Sequence, residues 1–547
     1  MIKCNICGYM NDDDSLFCEE CGNKLANKKV ISVSDTLFCG QCGAKVLPGS
    51  RFCEECGAPV EYKEGKSEFS THETGHVFDS KNWAEKWERL TCSKTEEFYG
   101  LIIINTVNVP DCSSFMETLF DYIFWSANNR NVFYEIFDIG KQKVVPTINN
   151  EYELVMALKE ITKFSRPHFQ LIIGDCSSVP YFDFENYCSD GDETVPSDLP
   201  FCTLKAKNLF EGMENFSLNG FIPTGRIPAS ASDGFSLATD YFVNVMSSYD
   251  KQFSGPVLGV SALVWSDESN AIYSRLSPGA VLESPPVSKE ESVRNLANTN
   301  APGILYFNLH GSDETKYWYG QEDWVYPEAV SPWSFLGLEP GYVIGVEACY
   351  GAAYEGRTDS DSIVKTALKN GCTAMLGSSM IAYGRPEEPG SCADIIVGKF
   401  LLSIRNGKSV GDSYIDGISA LINSDMDDTE IKTLQEFALY GDPSLGASLT
   451  YRAGIQNSLI TIQVPDIRFE TNKVLSDVND KIAKALSKQI SKYVYGKYKV
   501  FNHVEPEIIG GNGKFQSVYR IKQNSLKHVL KVYYNSDGKV TKELISK

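Results

Sequence analysis

Apolar runs of strand length alternate with amphipathic stretches of helical length along most of the chain after about residue 85. The amphipathic stretches repeat their apolar positions with helical spacing, whereas the runs are continuous and end at polar residues or glycine. The predicted strands are 101–105, 132–137, 169–173, 304–309, 342–347 and 373–377. The predicted helices are 115–126, 151–164, 362–369 and 393–405. This alternation is typical of a parallel sheet covered by helices, and it predicts an α/β fold.

Breaks in the pattern divide the chain into segments. Residues 61–84 are polar and lack periodicity, which predicts a linker. Two α/β subdomains are predicted at 85–290 and 300–450, and the stretch 280–300, rich in proline, serine and charge, is predicted to be a surface excursion. From 455 to 547 the order changes to a strand, one long helix and short strands with glycine turns, which predicts a small α+β domain.

The first 57 residues contain a repeated cysteine motif. Its spacing is C-x2-C-x10-C-x2-C in both copies, one within residues 1–27 and one within 36–60. Four thiolates on two short loops suit the tetrahedral coordination of Zn²⁺, and units with so little apolar material are expected to fold on metal binding. The segments 17–22 and 52–57 are near-copies, and the whole region resembles the double zinc-ribbon family. The expected ligands of two structural zinc ions are Cys4, Cys7, Cys18, Cys21, Cys39, Cys42, Cys53 and Cys56.

The charge of this region argues against nucleic acid as its partner. Residues 1–57 carry six Lys/Arg and eight Asp/Glu, so the basic patch that phosphate binding requires is missing. Four cysteines per ion leave no open coordination position, which indicates structural zinc rather than catalytic zinc. We therefore expect the ribbons to be a structural cap or to bind a regulatory protein partner.

The whole chain is acidic as well. With 51 basic and 71 acidic residues the formal net charge is −20, which disfavours binding to nucleic acid or to an anionic membrane. The sequence starts without an apolar leader segment, and its apolar runs are too short to span a bilayer. Half of the 16 cysteines lie in the zinc motifs and the others are scattered, which is typical of a reducing compartment. These features predict a cytoplasmic protein.

Two short phrases carry the candidate chemistry. One apolar run ends in His310-Gly311 and another ends in Ala348-Cys349. Because parallel strands deliver their carboxyl ends to one edge of a sheet, we expect the imidazole and the thiol to lie side by side. A thiolate nucleophile needs such an imidazole, and the backbone N–H groups of Gly311 and Cys349 could form an oxyanion hole. Cys372, inside the next predicted strand, is expected to be a buried inert thiol.

These residues resemble the cysteine peptidases of the caspase and gingipain type (clan CD). Caspases carry Gln-Ala-Cys-x-Gly where this chain has residues 347–351, and here the histidine precedes the cysteine by 39 positions. The phrases 171–175, 224–228 and 439–445 are similar to the gingipain branch. The resemblance implies a caspase-like parallel-sheet sandwich of two α/β subdomains, here preceded by two zinc ribbons and followed by the small α+β domain. Calcium, which some gingipain relatives bind, is not supported by the scattered acidic residues.

The resemblance also suggests a candidate for substrate selection. Gingipain-type pockets for Arg or Lys hold a buried aspartate, and residues 196–201 are similar to the segment that carries it, so Asp198 is our candidate. The local alternative is an ordinary turn aspartate, and Asp175, Asp313 and Glu314 compete for the role. We assign no role to Glu347. An aromatic run between the two phrases either lines the cleft or packs on itself: Tyr317, Trp318, Tyr319, Trp324, Tyr326 and Trp333.

Together these features predict an intracellular cysteine endopeptidase (a hydrolase) that cuts protein substrates after Arg or Lys through a Cys349–His310 dyad. The zinc ribbons would regulate it. The alternative hypothesis is a catalytically silent caspase-like scaffold that binds protein partners through the ribbons. The sequence does not identify the physiological substrate, the activating signal, the oligomeric state, the role of the C-terminal domain or a requirement for self-cleavage.

Overall fold

The structure of the protein is a computed structural model that describes most of the chain after residue 97. The described ranges are 98–107, 109–142, 148–162, 166–204, 221–385, 390–422, 426–446, 481–511 and 514–547, together with four short strands nearer the N-terminus. None of the helices in these ranges combines the length and the apolar character that crossing a bilayer requires. The strands β1 (Ile2–Lys3) and β2 (Met10–Asn11) form one antiparallel hairpin, and β3 (Leu37–Phe38) and β4 (Lys45–Val46) form another.

The remaining elements alternate between strands and helices, as the apolar pattern predicts. Those up to residue 250 are β5 (Phe98–Ile104), α1 (Ser113–Arg130), β6 (Val132–Asp138), α2 (Glu151–Thr162), β7 (Phe169–Ile173), β8 (Phe182–Glu185), β9 (Thr194–Ser197), α3 (Leu199–Thr203), β10 (Thr224–Ile227) and α4 (Ser236–Ser247). The next are β11 (Val257–Ala262), α5 (Ser266–Leu276), β12 (Leu282–Ser284), α6 (Val293–Leu296), β13 (Ile304–Asn308), β14 (Trp318–Tyr319), β15 (Glu328–Val330) and β16 (Tyr342–Val346). Then follow α7 (Ile363–Lys369), β17 (Cys372–Ser378), β18 (Tyr383–Gly384), α8 (Cys392–Arg405), α9 (Val410–Leu421), α10 (Asp428–Glu436) and β19 (Phe437–Gly441).

A ten-stranded sheet is the centre of the molecule. Its strand order is β12-β11-β13-β16-β17-β19-β10-β7-β5-β6. Every neighbouring pair is parallel except β17 and β19, which are antiparallel. The sheet therefore consists of two parallel halves that run in opposite directions, which confirms the predicted α/β class with a mostly parallel sheet.

The division between the halves differs from the predicted subdomain boundary. The strands β11 and β12 lie within 85–290 but pair in the half that contains β13, and β19 lies within 300–450 but pairs with β10. The stretch 280–300, predicted to be an excursion, contributes β12 as the edge strand of the sheet. Sequence order alone could not show this, because both crossings depend on pairing between strands that are distant in the chain.

Helices bury both faces of the half that contains β13 and β16. Every residue of these two strands is buried, which is typical of parallel strands covered on both sides. The helix α8 packs closely on β16 at Gly345, where a Cβ atom would overlap the side chain of Leu401. This close approach fixes the position of α8, whose first turn carries Asp394, relative to the end of β16.

The last described part of the chain forms a second, antiparallel sheet. Residues 481–547, here called the C-terminal unit, comprise α11 (Lys481–Lys497), β20 (Glu507–Gly511), β21 (Lys514–Gln523), β22 (Leu526–Asn535) and β23 (Val540–Ser546). The sheet order is β18-β23-β22-β21-β20, so β23 pairs with a strand of the main body. One sheet face packs on α11, and the other packs on the main body. The predicted strand 459–464 lies outside the described residues.

Candidate active site

His310 and Cys349 follow neighbouring parallel strands. In the pairing of β13 with β16, Ile304 is opposite Val343 and Phe307 is opposite Val346, a constant offset of 39 positions. The same offset separates His310 from Cys349, so both residues leave the sheet at the same edge. Between them the backbones are in contact, because a Cβ atom on Gly311 would overlap the carbonyl oxygen of Cys349. Only glycine fits at this position.

The thiol of Cys349 is enclosed. Its side chain is 2% exposed, and Sγ lies 3.5 Å from the carbonyl oxygen of Ala382, to which the thiol donates. Burial raises the pKa of this thiol well above its ordinary value, so the sulfur is protonated in this arrangement. Tyr350, the next residue, has a φ of 51°, a left-handed conformation that turns the chain sharply after the cysteine.

The imidazole of His310 is held by Gln321. Nε2 of the ring lies 2.7 Å from Oε1 of Gln321, and the amide nitrogen of Gln321 donates to the backbone oxygen of Asp323 and to the hydroxyl of Tyr326. Because both donors of the amide are engaged elsewhere, its oxygen faces the ring and Nε2 must donate. Nδ1 of His310 therefore carries the lone pair that can accept a proton.

Aromatic rings surround this imidazole. The ring of Trp265 lies 4.3 Å from that of His310 between centroids, the ring of Tyr326 lies 5.2 Å away and the ring of His528 lies 5.5 Å away. Burial, followed by repulsion from His528, keeps the pKa of His310 well below its ordinary value. The imidazole is therefore neutral and can act as a base.

The predicted aromatic run is divided between two roles. Its member Tyr326 contacts His310, as described above, and the backbone of Tyr319 bonds the backbone of His310 in both directions. Trp318 instead packs in the core against Phe307, and Trp333 is about half exposed. Both alternatives for the run are thus partly realised.

An acidic pocket lies beside His310 and Cys349, and a lysine of the same chain occupies it. The ammonium nitrogen of Lys547 lies 3.1 Å from Oε2 of Glu347 and 2.9 Å from Oδ1 of Asp394. All three side chains are at most 1% exposed. The ammonium also lies 5.0 Å from the centroid of the Trp265 ring, which separates the pocket from His310. The pocket therefore encloses the one positive charge at the end of a long side chain.

Burial raises the pKa values of two carboxyl groups in and beside this pocket. It raises the pKa of Glu347 to about 8, against the opposing pull of Lys547, and the hydroxyl of Tyr306 donates to Oε1 of the same carboxyl at 2.8 Å. Burial likewise raises the pKa of Glu268, a neighbour of the pocket, to about 7. Asp394 accepts a backbone N–H bond of 3.2 Å from Arg385 and lies in the first turn of α8, where a negative charge is favoured.

The backbone of Lys547 is held as firmly as its side chain. The N–H of Cys349 donates to the carbonyl oxygen of Lys547 at 2.9 Å, and the N–H of Lys547 donates to Ala382 at 3.0 Å. The residue before Lys547, Ser546, is opposite Tyr383 in the antiparallel pairing of β23 with β18. The chain thus runs extended along β18, and Lys547 lies between the acidic pocket and Cys349.

The segment that carries Ala382 is anchored by a buried ion cluster. Asp192 accepts the N–H of Ile381 at 2.9 Å and an ammonium bond of 2.8 Å from Lys432. Lys432 and Asp192 have side chains at most 2% exposed, so this cluster holds its geometry without competition from water.

The candidate Asp198 has an internal partner. Its two carboxylate oxygens accept from Nε and Nη2 of Arg226 at 2.7 and 2.6 Å, and the Arg226 side chain is fully buried. Because this carboxylate is already paired within the chain, the arrangement argues against a role for Asp198 in a basic-residue pocket. Of its competitors, Asp313 pairs with Lys527 at 2.8 Å and Glu314 pairs with Lys522.

Sequence reasoning missed five contributors to this site: Trp265, Gln321, Glu347, Asp394 and Lys547. Glu347 precedes Cys349 by two positions, and this spacing was the one sign in the sequence that Glu347 lies near the site. Trp265 directly precedes α5, and Gln321 lies in a loop. Asp394 lies in α8 and Lys547 directly follows β23, so only the folded chain brings these residues together.

The predicted zinc ligands lie outside the described residues. The two described hairpins occupy equivalent places in the two cysteine repeats, since β3 and β4 follow β1 and β2 at an offset of 35 positions, as Cys39 follows Cys4. Four thiolates per repeat are a donor set that fits zinc. Within the described ranges there is no other cluster of three or more residues suited to a metal ion.

Two segments of the chain match known protein families. Residues 4–57 match the double zinc ribbon family, as the cysteine spacing predicts. No curated protein matches the chain. Residues 142–448, more than half of the chain, match peptidase family C25, which confirms the predicted gingipain-type cysteine peptidase. The chain therefore belongs to peptidase family C25.

Proposed function

We propose that the protein is an endopeptidase that cuts on the carboxyl side of lysine, and less efficiently of arginine, with Cys349 as nucleophile and His310 as its proton-transfer partner. One observation carries the proposal: Lys547 lies with its carbonyl oxygen on the N–H of Cys349 and its ammonium between Glu347 and Asp394. These are the contacts expected of the residue that precedes a scissile bond.

The steps follow from this placement. The Cys349 thiol gives its proton to Nδ1 of His310, and the sulfur attacks the substrate carbonyl carbon. The negative oxygen is stabilised by the N–H of Cys349 and, we propose, by that of Gly311. His310 then gives the proton to the leaving amine, which departs and leaves a thioester. Water, deprotonated by His310, hydrolyses the thioester and restores the thiol.

Lysine fits the pocket better than arginine. The ammonium of Lys547 is completely enclosed between two carboxyl groups and the Trp265 ring, and a Cβ atom on Gly384 would overlap the lysine side chain. The guanidinium of arginine is larger and planar, so it would have to displace one of these walls. We expect both residues to be cleaved, with lysine preferred.

We further propose that the enzyme acts inside the cell and contains two structural zinc ions. The described cysteines are free thiols, among them the buried Cys188, Cys202, Cys372 and Cys392, which suits a reducing compartment. Zn²⁺ would supply folding free energy to each ribbon. With four thiolates around each ion, the ribbons supply no open position for catalysis and would instead offer a surface to a protein partner.

A peptide-library cleavage profile tests the proposal. The library is incubated with the full chain and with Lys547→Ala, in which the pocket is empty. Cys349→Ala is the inactive control. We expect cleavage after lysine foremost and arginine next. Cleavage after another residue would remove the pocket assignment, and a folded Lys547→Ala protein without any cleavage would favour the scaffold hypothesis.

A further inference from the structure

The C-terminal unit lies over every part of the site that a substrate would use. From its contacts we infer that this unit is a built-in inhibitor, which keeps the peptidase latent by holding its own lysine-ended strand in the substrate channel. The inference rests on the proposed function, because it takes the acidic pocket and the β18 edge to be the places where substrate binds.

The strand β23 occupies the channel by β-strand addition. It pairs antiparallel with β18, with Tyr383 opposite Ser546 and Gly384 opposite Ile545. Such pairing uses backbone hydrogen bonds for affinity and a side-chain pocket for specificity, which is how extended peptides bind to sheet edges. With the β18 edge, the Cys349 N–H and the pocket all engaged by the chain itself, a substrate strand has no place to pair.

The same unit covers both reacting side chains. Cys349 belongs to an apolar cluster to which the unit contributes Val518, Val529 and Leu544. The ring of His528 on β22 lies nearly perpendicular to that of His310, 5.5 Å away between centroids. The backbone oxygen of Ser525 accepts a hydrogen bond of 2.7 Å from the hydroxyl of Ser312, two positions after the histidine. Release of the unit would therefore expose the nucleophile and the base together.

Charge complementarity holds the unit in place. Its sheet presents lysines, and the main body presents acidic partners along the whole contact. Lys531 lies 2.8 Å from Asp428, with side chains 0% and 9% exposed, and Lys542 lies 2.6 Å from Asp427. The other pairs are Lys522 with Glu314, Lys527 with Asp313, and Lys547 with Glu347 and Asp394. These ion pairs extend beyond the pocket, which indicates a dedicated contact surface rather than a chance contact of β23.

The test measures access to Cys349 separately from peptide cleavage. Full-length wild type and Lys547→Ala are alkylated with iodoacetamide, and modification of the Cys349 peptide is followed by mass spectrometry. Cleavage of a lysine-containing peptide is measured in parallel. Lys539→Ala is the matched control, because Lys539 is an exposed lysine of the same unit, in the turn between β22 and β23. We expect both alkylation and cleavage to be at least about tenfold faster in Lys547→Ala, and unchanged in Lys539→Ala.

A second variant guards against a folding defect at the buried Lys547. Lys542→Glu places a negative charge against Asp427 and Glu430 at the partly exposed edge of the contact, away from the channel. We expect it to loosen the unit and to raise both rates as well. A synthetic peptide of residues 540–547 should then inhibit the activated variants competitively, whereas the same peptide with alanine for lysine should not.

The possible results separate the two proposals. Equal cleavage rates in wild type and both variants would overturn the inhibitor role while leaving the peptidase function intact. Loss of cleavage in both variants would show that the unit completes the active enzyme, which also overturns the inference. Faster alkylation without any cleavage would support the inhibitor role and refute the peptidase function instead.

Discussion

The carbonyl oxygen of Ala382 accepts two hydrogen bonds, one from the Cys349 thiol at 3.5 Å and one from the N–H of Lys547 at 3.0 Å. A single backbone atom thereby links the thiol of Cys349 to Lys547, whose ammonium lies between Glu347 and Asp394. In this arrangement the sulfur keeps its proton, and the β18 edge beside it is paired with β23.

The acidic pocket should control selectivity. In the Lys547→Ala background at pH 7, we expect Asp394→Asn to lower kcat/KM for lysine peptides by about 100-fold, because a buried ion pair that loses one partner costs about 3 kcal/mol. Glu347→Gln should have a smaller effect at this pH, because the Glu347 carboxyl, with a pKa of about 8, is mostly protonated there. Alkylation of Cys349 by iodoacetamide, which carries no basic group, should change little. The control is Glu339→Gln, since Glu339 pairs with Lys251 at the surface. Retention of full lysine preference in both pocket variants would contradict the assignment.

The carboxyl of Glu347 should make lysine binding depend on pH. Burial raises its pKa to about 8, so this group gains its negative charge as the pH rises through that value. We expect KM for lysine peptides to fall as the pH rises above 8 in the Lys547→Ala background, where the ammonium that lowers this pKa is missing. In Glu347→Gln this change should be absent, and an identical pH response in both proteins would speak against the role of Glu347.

Gln321 acts through His310 and is a positioning residue. Gln321→Glu would give Nε2 of His310 a charged acceptor, which raises the pKa of the imidazole. We expect the acid limb of the kcat/KM profile to move up by about one pH unit, and Gln321→Ala to lower kcat about tenfold without that shift. An unmoved profile in Gln321→Glu would mean that the glutamine only fills space.

Asp198 should matter for stability and not for substrate choice. Asp198→Asn leaves the fully buried Arg226 without its charged partner, and we expect a loss of about 3 kcal/mol in the free energy of unfolding, measured with urea. The lysine preference of the surviving folded protein should be unchanged. A changed preference with unchanged stability would restore Asp198 to the pocket.

Acid should loosen the C-terminal unit through His528. Burial lowers the pKa of this imidazole from 6.5 to about 4. The exposed ring therefore binds more protons than the docked ring between these values, and docking weakens as the pH falls from about 6.5 towards 4. Between pH 7 and pH 5 the loss amounts to about 2 kcal/mol. In urea unfolding, His528→Gln should show a smaller decrease over this interval than wild type, and an equal decrease would argue against this role.

The sequence pattern predicted that His310 and Cys349 lie side by side, but it did not predict the acidic pocket around Lys547. The runs ending at His310 and Cys349 are continuous and apolar, so their strands and their shared edge follow from pattern alone. The pocket depends on Asp394 from α8 and on Glu347, whose charge contradicts the apolar pattern of its strand. Asp198 appeared to be a free turn residue because nothing local shows its pairing with Arg226, which lies on a strand beyond an intervening segment.

The hydrogen bond from Cys349 to Ala382 has a kinetic consequence. A thiol that donates to a carbonyl oxygen cannot at the same time give its proton to His310, so the S–H bond must reorient, by rotation about Cβ–Sγ or Cα–Cβ, before attack. Such rotamer changes take picoseconds to nanoseconds at exposed positions. If β23 departs, we therefore expect reorientation of the sulfur to be much faster than a turnover, so that the departure of β23 sets the rate of activation.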